Sequence, residues 1–292
     1  MKSTKLGVGI TTHNSRSVLA ACLQELAGLD AYFVLYDSDS SDGTVDLARK
    51  MRPDIDVLAG DENAWWAAAT NAVVKKCLDE GCDYILLLNP DVRLSTETVR
   101  RQLDIASAYG DKIVIPLLVV DGSPEKVAYA GSVLRPVARW WPVIVGRYVV
   151  RPGSPITAVP SVPYKTNDMS ARGAMIPRVV FESVGLLDDS HFPHYGADVD
   201  FSYRARRLGY ETILVPDLRG RVVVTQTGIP DFRHYPFGQR FIALQKMLFE
   251  RKHGEMLRVQ WHLQMRHQPF PFGMLMFAAN VSWQVWRRLF PR

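Results

Sequence analysis

Four short apolar runs near the start of the chain, each followed by a polar cluster and then by a helical pattern, restrict what this sequence can fold into. The runs are LGVGITT (6–12), YFVLYD (32–37), DVLA (56–59) and YILLL (84–88). Between them lie helical stretches at Ser17–Ala27, Thr44–Met51 and residues 64–80, and a further helix (Thr96–Ala108) and strand (KIVIP, 112–116) follow. Strands alternating with helices of this length imply crossover connections, and therefore a parallel sheet with helices on its faces. Residues 84–88 read as a strand buried on both faces. Pro90 ends that run, because a proline cannot donate to a central ladder. The expected class is α/β, a mostly parallel central sheet flanked by helices with a C-terminal helical extension.

Residues 120–165 break the alternation. The stretch RPVARWWPVIVGRYVVRPGSP is rich in Pro, Gly, Val, Arg and Trp without a helical period, and it reads as irregular loops and short strands laid over the sheet. Helical patterns return at Arg178–Val184, Val199–Leu208 and Phe237–Lys252. With 47% hydrophobic and 22% charged residues over 292 positions, the chain can bury a substantial core. Its charge is uneven. Residues 1–200 carry 20 Lys+Arg against 25 Asp+Glu, whereas residues 201–292 carry 15 against 5, a net +10. A basic C-terminal third suggests an anionic partner such as phosphate, nucleic acid or a membrane surface. Nucleic acid is disfavoured, because those cations are not interleaved with an RNA-stacking or helix-turn-helix pattern.

Cys22, Cys77 and Cys82 form neither a zinc spacing nor a secreted disulfide framework, so reduced thiols in a cytoplasmic setting, at most at the inner face of the cell membrane, are expected. MKSTKLGVGITTHNS lacks the apolar region of a signal peptide. No run reaches the roughly 18 uninterrupted apolar residues of a spanning helix, so the chain is not expected to be integral to a membrane. Residues 272–292 combine Trp283, Trp286, Leu289 and Phe290 with Arg287, Arg288 and Arg292. Such a segment suits peripheral contact with a membrane interface, a docked core helix or a dimer contact.

In an open parallel sheet, ligands bind outside the carboxyl ends of the strands. THNS (12–15), DSDSSDG (37–43), GDEN (60–63) and NPD (89–91) fall there. Asp91 can ligate a hard divalent cation that in turn holds substrate phosphates; the same triplet also reads as a turn capping the next helix. Asp37 and Asp39 read as acceptors for the base and ribose of a nucleotide, or as a phosphatase nucleophile with its neighbouring acid. Asp42 reads as a helix cap. Asp198 and Asp200 open a helical stretch, and beside His191, His194 and Tyr195 they suit a general base near a substrate. Those histidines read as hydrogen-bonded surface residues rather than metal ligands.

Taken in order, these pieces resemble the family 2 glycosyltransferases, inverting enzymes with a GT-A nucleotide-diphospho-sugar transferase fold. The likeness is closest to the rhamnosyltransferase-like branch, which builds surface polysaccharides. GVGITTHNS is similar to that family's first strand, LYDSDSSDGT to its "hhDNxSxDGT" and ENAWWAAATN to its "NxGwagaxN". YILLLNPDV, GAMIPRVVFESVGLLDD and YGADVDFSYRARRLGYETILVP continue the match, which covers about residues 6–225. The resemblance implies a GT-A domain over residues 1–235, split into a nucleotide-binding half (1–118) and an acceptor-side half (119–235), with residues 236–292 as the extension. It implies that Asp37 contacts the base, with Thr11, His13, Asn14 and Asp39 in the same pocket. Asn63, Trp66, Asn71 and Asn89 would shape the donor site, and Asp91 would hold Mg²⁺ or Mn²⁺ on the diphosphate. Asp198 falls where the family places its catalytic base, and Arg172, Gly173 and Asp200 fall on the acceptor side.

The implied reaction moves a sugar from a UDP- or dTDP-sugar to a hydroxyl of a glycan or lipid-linked saccharide. The chain departs from the family at Ala197 (usually Glu), at Trp65 (usually Gly) and at Thr225 or Gln226 (often a metal-ligating His). Two other readings stay open at this point: a catalytically silent nucleotide-sugar-binding module, and an aspartyl-phosphate phosphatase built on Asp37 and Asp39. The phosphatase would need a downstream Lys that the sequence does not clearly supply.

Overall fold

β4 (Tyr84–Leu88) lies in the interior of the sheet, and its Ile85, Leu86, Leu87 and Leu88 are all no more than 2% exposed. Each such burial stabilises the fold by about 1.5–3 kcal/mol before entropy is counted. The computed structural model describes residues 4–61, 63–138, 141–223, 235–250 and 256–290. β1 (Leu6–Thr12), β2 (Tyr32–Ser38) and β3 (Asp56–Gly60) continue from β4 in the order β4-β1-β2-β3, all parallel. Their crossovers are α1 (Arg16–Glu25), α2 (Thr44–Met51) and α3 (Trp66–Asp79). Glycines in β1 let α3 approach closely: a Cβ on Gly7 would lie 2.8 Å from Cys77 Sγ, and one on Gly9 2.8 Å from Val73 Cγ2.

The other half of the sheet is mixed. β5 (Val92–Arg93) is followed by α4 (Thr96–Tyr109), whose N-cap Ser95 accepts the Thr98 N–H and which stops at Gly110 with φ 75°. β6 (Ile113–Val120) then turns back into β7 (Ser123–Tyr129). β8 (Ser132–Ala138) and β9 (Trp141–Tyr148) form a separate antiparallel pair. The stretch expected as irregular loops and short strands is therefore built around a hairpin, whose extent the sequence did not show because neither strand alternates cleanly. β10 (Tyr164–Thr166), β11 (Ala174–Pro177), α5 (Arg178–Val184), α6 (Ala197–Arg207) and β12 (Thr212–Val222) follow. β11 inserts antiparallel between β4 and β6, and β12 runs parallel to β6, giving the path β10-β12-β6-β11-β4-β1-β2-β3.

One face of the sheet packs on α3, α5 and α6 and the other on α1, α2 and α4. The C-terminal segment forms three helices, α7 (Phe237–Phe249), α8 (Leu257–His267) and α9 (Phe272–Leu289). α8, which the hydrophobic pattern did not reveal, places Val259 in the same core as Phe192, Ala197 and Phe201. Among the described residues no helix is long and apolar enough to cross a membrane. All three cysteines are buried free thiols.

Candidate active site

The carboxyl ends of the first four strands finish level: Thr12 pairs with Asp37, Asp37 with Ala59, and Ile10 with Leu88. Thr11 is half-buried at the end of β1, and His13 and Asn14 are exposed just beyond it. His13 Nδ1 lies 2.7 Å from the Ser38 carbonyl, and the Asn14 N–H donates to Ser40 Oγ at 2.7 Å. Asn14 (φ 47°) and Asp39 (φ 55°) are the non-glycine residues with left-handed backbone among those described, and they sit on facing loops. Asn and Asp tolerate that conformation best, and such strain gathers at ligand-binding loops.

Asp37 itself is buried. It accepts from Thr12 Oγ1 (2.9 Å), Ser40 Oγ (2.7 Å) and the Ser40 N–H (2.8 Å). Its carboxylate therefore folds the β2 loop, and it is not placed as a free nucleophile. Asp42 accepts the N–H of Thr44 at the start of α2, although the N-cap position itself is Gly43, one residue on.

A second segment, residues 166–173, ties the opposite side together. Asp168 Oδ1 accepts from Tyr129 OH (2.9 Å) and the Ser132 N–H (2.8 Å). The Met169 N–H donates to Ser202 Oγ (3.0 Å), and that hydroxyl donates to the Asp198 carbonyl (2.7 Å). The Ala171 N–H lies near the Asp198 carboxylate and favours its ionised form. The next residue, Arg172, brings its guanidinium to 3.5 Å from Asp91 Oδ2. The Gly173 N–H then donates to Leu87 O at 2.8 Å, fixing the segment to β4. Asp198 and Asp91 are thus held beside consecutive residues.

Asp198 lies in the first turn of α6, after Gly196 with φ 84°, and its Oδ1 accepts the Val199 N–H at 2.9 Å. Burial pushes its carboxyl up to about 6, with the Asp168 carboxylate adding to the rise and backbone N–H groups opposing it. Asp91 Oδ1 is buried without a hydrogen-bond partner among the described residues. Asn89 Oδ1 is taken by Trp66 Nε1 at 3.1 Å. Among the described residues no three His, Cys, Asp or Glu converge on a point. One carboxylate with an open oxygen nevertheless suits Mg²⁺ or Mn²⁺, which complete their shell with phosphate oxygens and water. The residues present fit a cation held jointly with a diphosphate. Thr225 and Gln226 lie outside the described residues.

Several expected site residues are engaged elsewhere. Asn71 is buried and brackets the loop after α5, donating to Leu187 O (2.9 Å) and accepting the Leu187 N–H (3.0 Å), so it does not floor a donor pocket. Gly173 is buried, with its carbonyl accepting from Gln102 Nε2 at 2.8 Å. Asn63 is exposed and lines a cavity of about 200 Å³ with Trp65, Asp189, Met256 and Arg258.

Asp200 is fully buried, with its carboxylate committed inside the protein. It accepts from Arg204 Nε (2.8 Å) and Arg266 (2.9 Å), with His267 Nε2 at 2.9 Å. Burial opposes ionisation of Asp200, but the bonds from His267, Arg204 and Arg266 outweigh it and hold its carboxyl low. Arg266 also reaches Asp188 Oδ2 (2.8 Å), so α8 locks both α6 and the loop before it. Asp168, Tyr129 and Arg266 escaped the sequence reading. Asp168 alone had a local signal, as an acid four residues before Arg172 in TNDMSARGA.

A polar rim at the level ends of parallel strands, joined by an antiparallel strand to an acid on a covering helix, defines the class of GT-A nucleotide-diphospho-sugar transferases. The crystal structure of GalNAc-T7 with UDP, GalNAc and Mn²⁺ has this fold: it superposes with a TM-score of 0.59 at 14% identity, over 96% of this chain and 55% of that one. Residues 7–184 match the family described as Glycosyl transferase family 2, and the chain belongs to it. It is similar to the low-salt glycan biosynthesis hexosyltransferase Agl10 of Haloferax volcanii, 26% identical over 69% of this chain. The chain spans 62% of the length of that relative. It is also similar to the dTDP-rhamnosyl transferase RfbF of Shigella flexneri, 22% identical over 84% of this chain and 81% of that protein.

Proposed function

We propose that the protein is an inverting glycosyltransferase that moves a sugar from a UDP- or dTDP-sugar to a hydroxyl of a glycan or lipid-linked saccharide in surface polysaccharide assembly. The observation that carries this reading is one segment serving both acids: the Arg172 guanidinium lies 3.5 Å from Asp91 Oδ2, and the neighbouring Ala171 N–H favours the ionised form of Asp198. In this reading the nucleotide lies over the loops after β1 and β2, and its diphosphate lies toward Asp91 and Arg172. Asp198 accepts the proton of the acceptor hydroxyl as that oxygen attacks the anomeric carbon from the face opposite the leaving diphosphate, which inverts the centre. A carboxyl raised to about 6 is a stronger base than an ordinary one yet still mostly ionised at neutral pH. The Arg172 guanidinium supplies fixed positive charge where the leaving group gains negative charge. Asp91 would hold the divalent cation, which when bound adds further neutralisation of the diphosphate.

The test is calorimetric titration with UDP, dTDP and GDP, each with Mn²⁺ and with EDTA. Cation-dependent binding of one diphosphate supports the reading and names the base. Failure of all three to bind would overturn it, and binding without any sugar transfer would return the chain to a silent nucleotide-sugar-binding module.

A further inference from the structure

The water-facing side of α9 is built from the wrong residues for water. Its exposed positions recur at helical spacing and include Met274 (46%), Leu275 (59%), Trp283 (57%), Trp286 (43%) and Phe290 (56%). Trp283 and Trp286 stack with centroids 5.4 Å apart. The opposite side packs on the protein. A Cβ on Gly273 would lie 2.9 Å from the Gln264 carbonyl of α8, and Leu289 and Val285 meet Leu244 and Leu248 of α7. The face is therefore left exposed by a helix already docked on its other side.

α7 continues the surface. Phe237, Phe241, Ile242 and Phe249 are each more than half exposed, and the Phe237 ring lies 6.4 Å from that of Phe290. Exposed apolar surfaces of this extent mark interaction sites.

Charge selects the occupant. The two helices, residues 237–249 and 272–289, contain no Asp or Glu and four cations, Arg240, Lys246, Arg287 and the buried Arg288. Arg287 is exposed beside the tryptophans, and Arg240 Nη1 donates to the Leu289 carbonyl at 3.1 Å where the two helices meet. A second copy of the same surface would bring cation against cation, and neither helix contains an acid to offset them, Glu250 following at the end of α7. Interfacial tryptophan and phenylalanine rimmed by arginine match the depth profile of an anionic lipid surface.

We propose that the joined faces of α7 and α9 seat the protein on an anionic lipid bilayer, with both helices lying in the plane of the interface. The aromatic side chains enter the headgroup region and Arg287 meets lipid phosphate. This proposal stands apart from the transfer reaction, since it concerns a surface that carries none of Asp198, Asp91 or Arg172.

The test is flotation of the full-length chain with phosphatidylcholine vesicles with and without phosphatidylglycerol, at low and high salt, with tryptophan emission as a second readout. The expected result is association at least about tenfold tighter with the anionic vesicles, a blue shift on binding, and loss of most of the charge-dependent part at high salt. Leu275→Glu with Trp283→Glu should abolish flotation while leaving nucleotide-diphosphate binding and melting temperature in place. Phe241→Glu should weaken it on its own. Three results overturn the proposal: no preference for either vesicle, unchanged flotation of the double variant, or concentration-dependent dimerisation that the double variant abolishes. The last would assign the surface to a second copy of the chain. A folded variant that loses flotation but keeps its nucleotide separates this outcome from failure of the transferase reading.

Discussion

Replacing Asp198 with asparagine should stabilise the fold while stopping transfer, and the stabilisation should depend on pH. Burial raises the Asp198 carboxyl from 3.8 to about 6, so the folded state holds a proton that the unfolded state has already released. For an acid with a raised folded pKa, stability is highest below the unfolded value and declines as pH rises through the window from about 4 to about 6. Two units correspond to about 3 kcal/mol. Asp198 keeps part of its surface open to the cleft, so screening brings this to about 2 kcal/mol. Asp198→Asn removes the ionisation and keeps an oxygen for the Val199 N–H. Urea unfolding should therefore show the variant about 2 kcal/mol more stable than the parent near pH 7.5 and nearly equal to it near pH 4. The same variant should keep nucleotide affinity within a few-fold and lose turnover. A stability difference independent of pH, or a destabilised variant near neutrality, would refute the argument that Asp198 is held ionised against its surroundings.

Arg266→Met removes one bond from each of two carboxylates, Asp200 with no exposure and Asp188 on the adjoining loop. The expected cost is about 2–4 kcal/mol; if α8 serves to position α6, kcat should also fall more than nucleotide affinity does, and unchanged kcat in the folded variant would leave the latch purely structural. Both carboxyls are held below their ordinary values, so their contribution is present above about pH 4 and lost as pH falls further; an acid-unfolding midpoint that does not rise in Arg266→Met would argue against this. Asp91→Ala should weaken diphosphate binding only when Mg²⁺ or Mn²⁺ is present, and equal loss in EDTA would remove the cation role. Gly196→Ala forces φ 84° on a residue with a Cβ and places that Cβ 3.1 Å from Val259. It should cost about 1–3 kcal/mol by denaturant unfolding.

How far the sequence disclosed this molecule depended on whether each signal was local. The βαβ alternation was legible because each strand is a run of contiguous apolar residues and each crossover helix carries its own period. β8 and β9 were not, because Pro136 and Pro142 interrupt the pattern of strands whose pairing is decided by the partner. The same distinction divides the candidate site. Asp91 could be placed at a rim from sequence, since Pro90 terminates a buried strand one residue earlier.

Asp198 and Asp200 looked alike, two acids opening one helix, and their separation came from residues far along the chain. Position 200 turns inward, where Arg266 and His267 arrive from a helix 66 and 67 residues away. Position 198 faces Asp168, a like charge 30 residues before it, which adds to the burial that raises its carboxyl. A carboxylate given cationic partners becomes part of the frame, and one buried against another carboxylate is left able to take a proton. That rule sorts these two acids; Asp37 is committed to its loop instead by three hydrogen bonds from neutral donors. Its terms are three-dimensional, so no reading of ADVD alone could have supplied them.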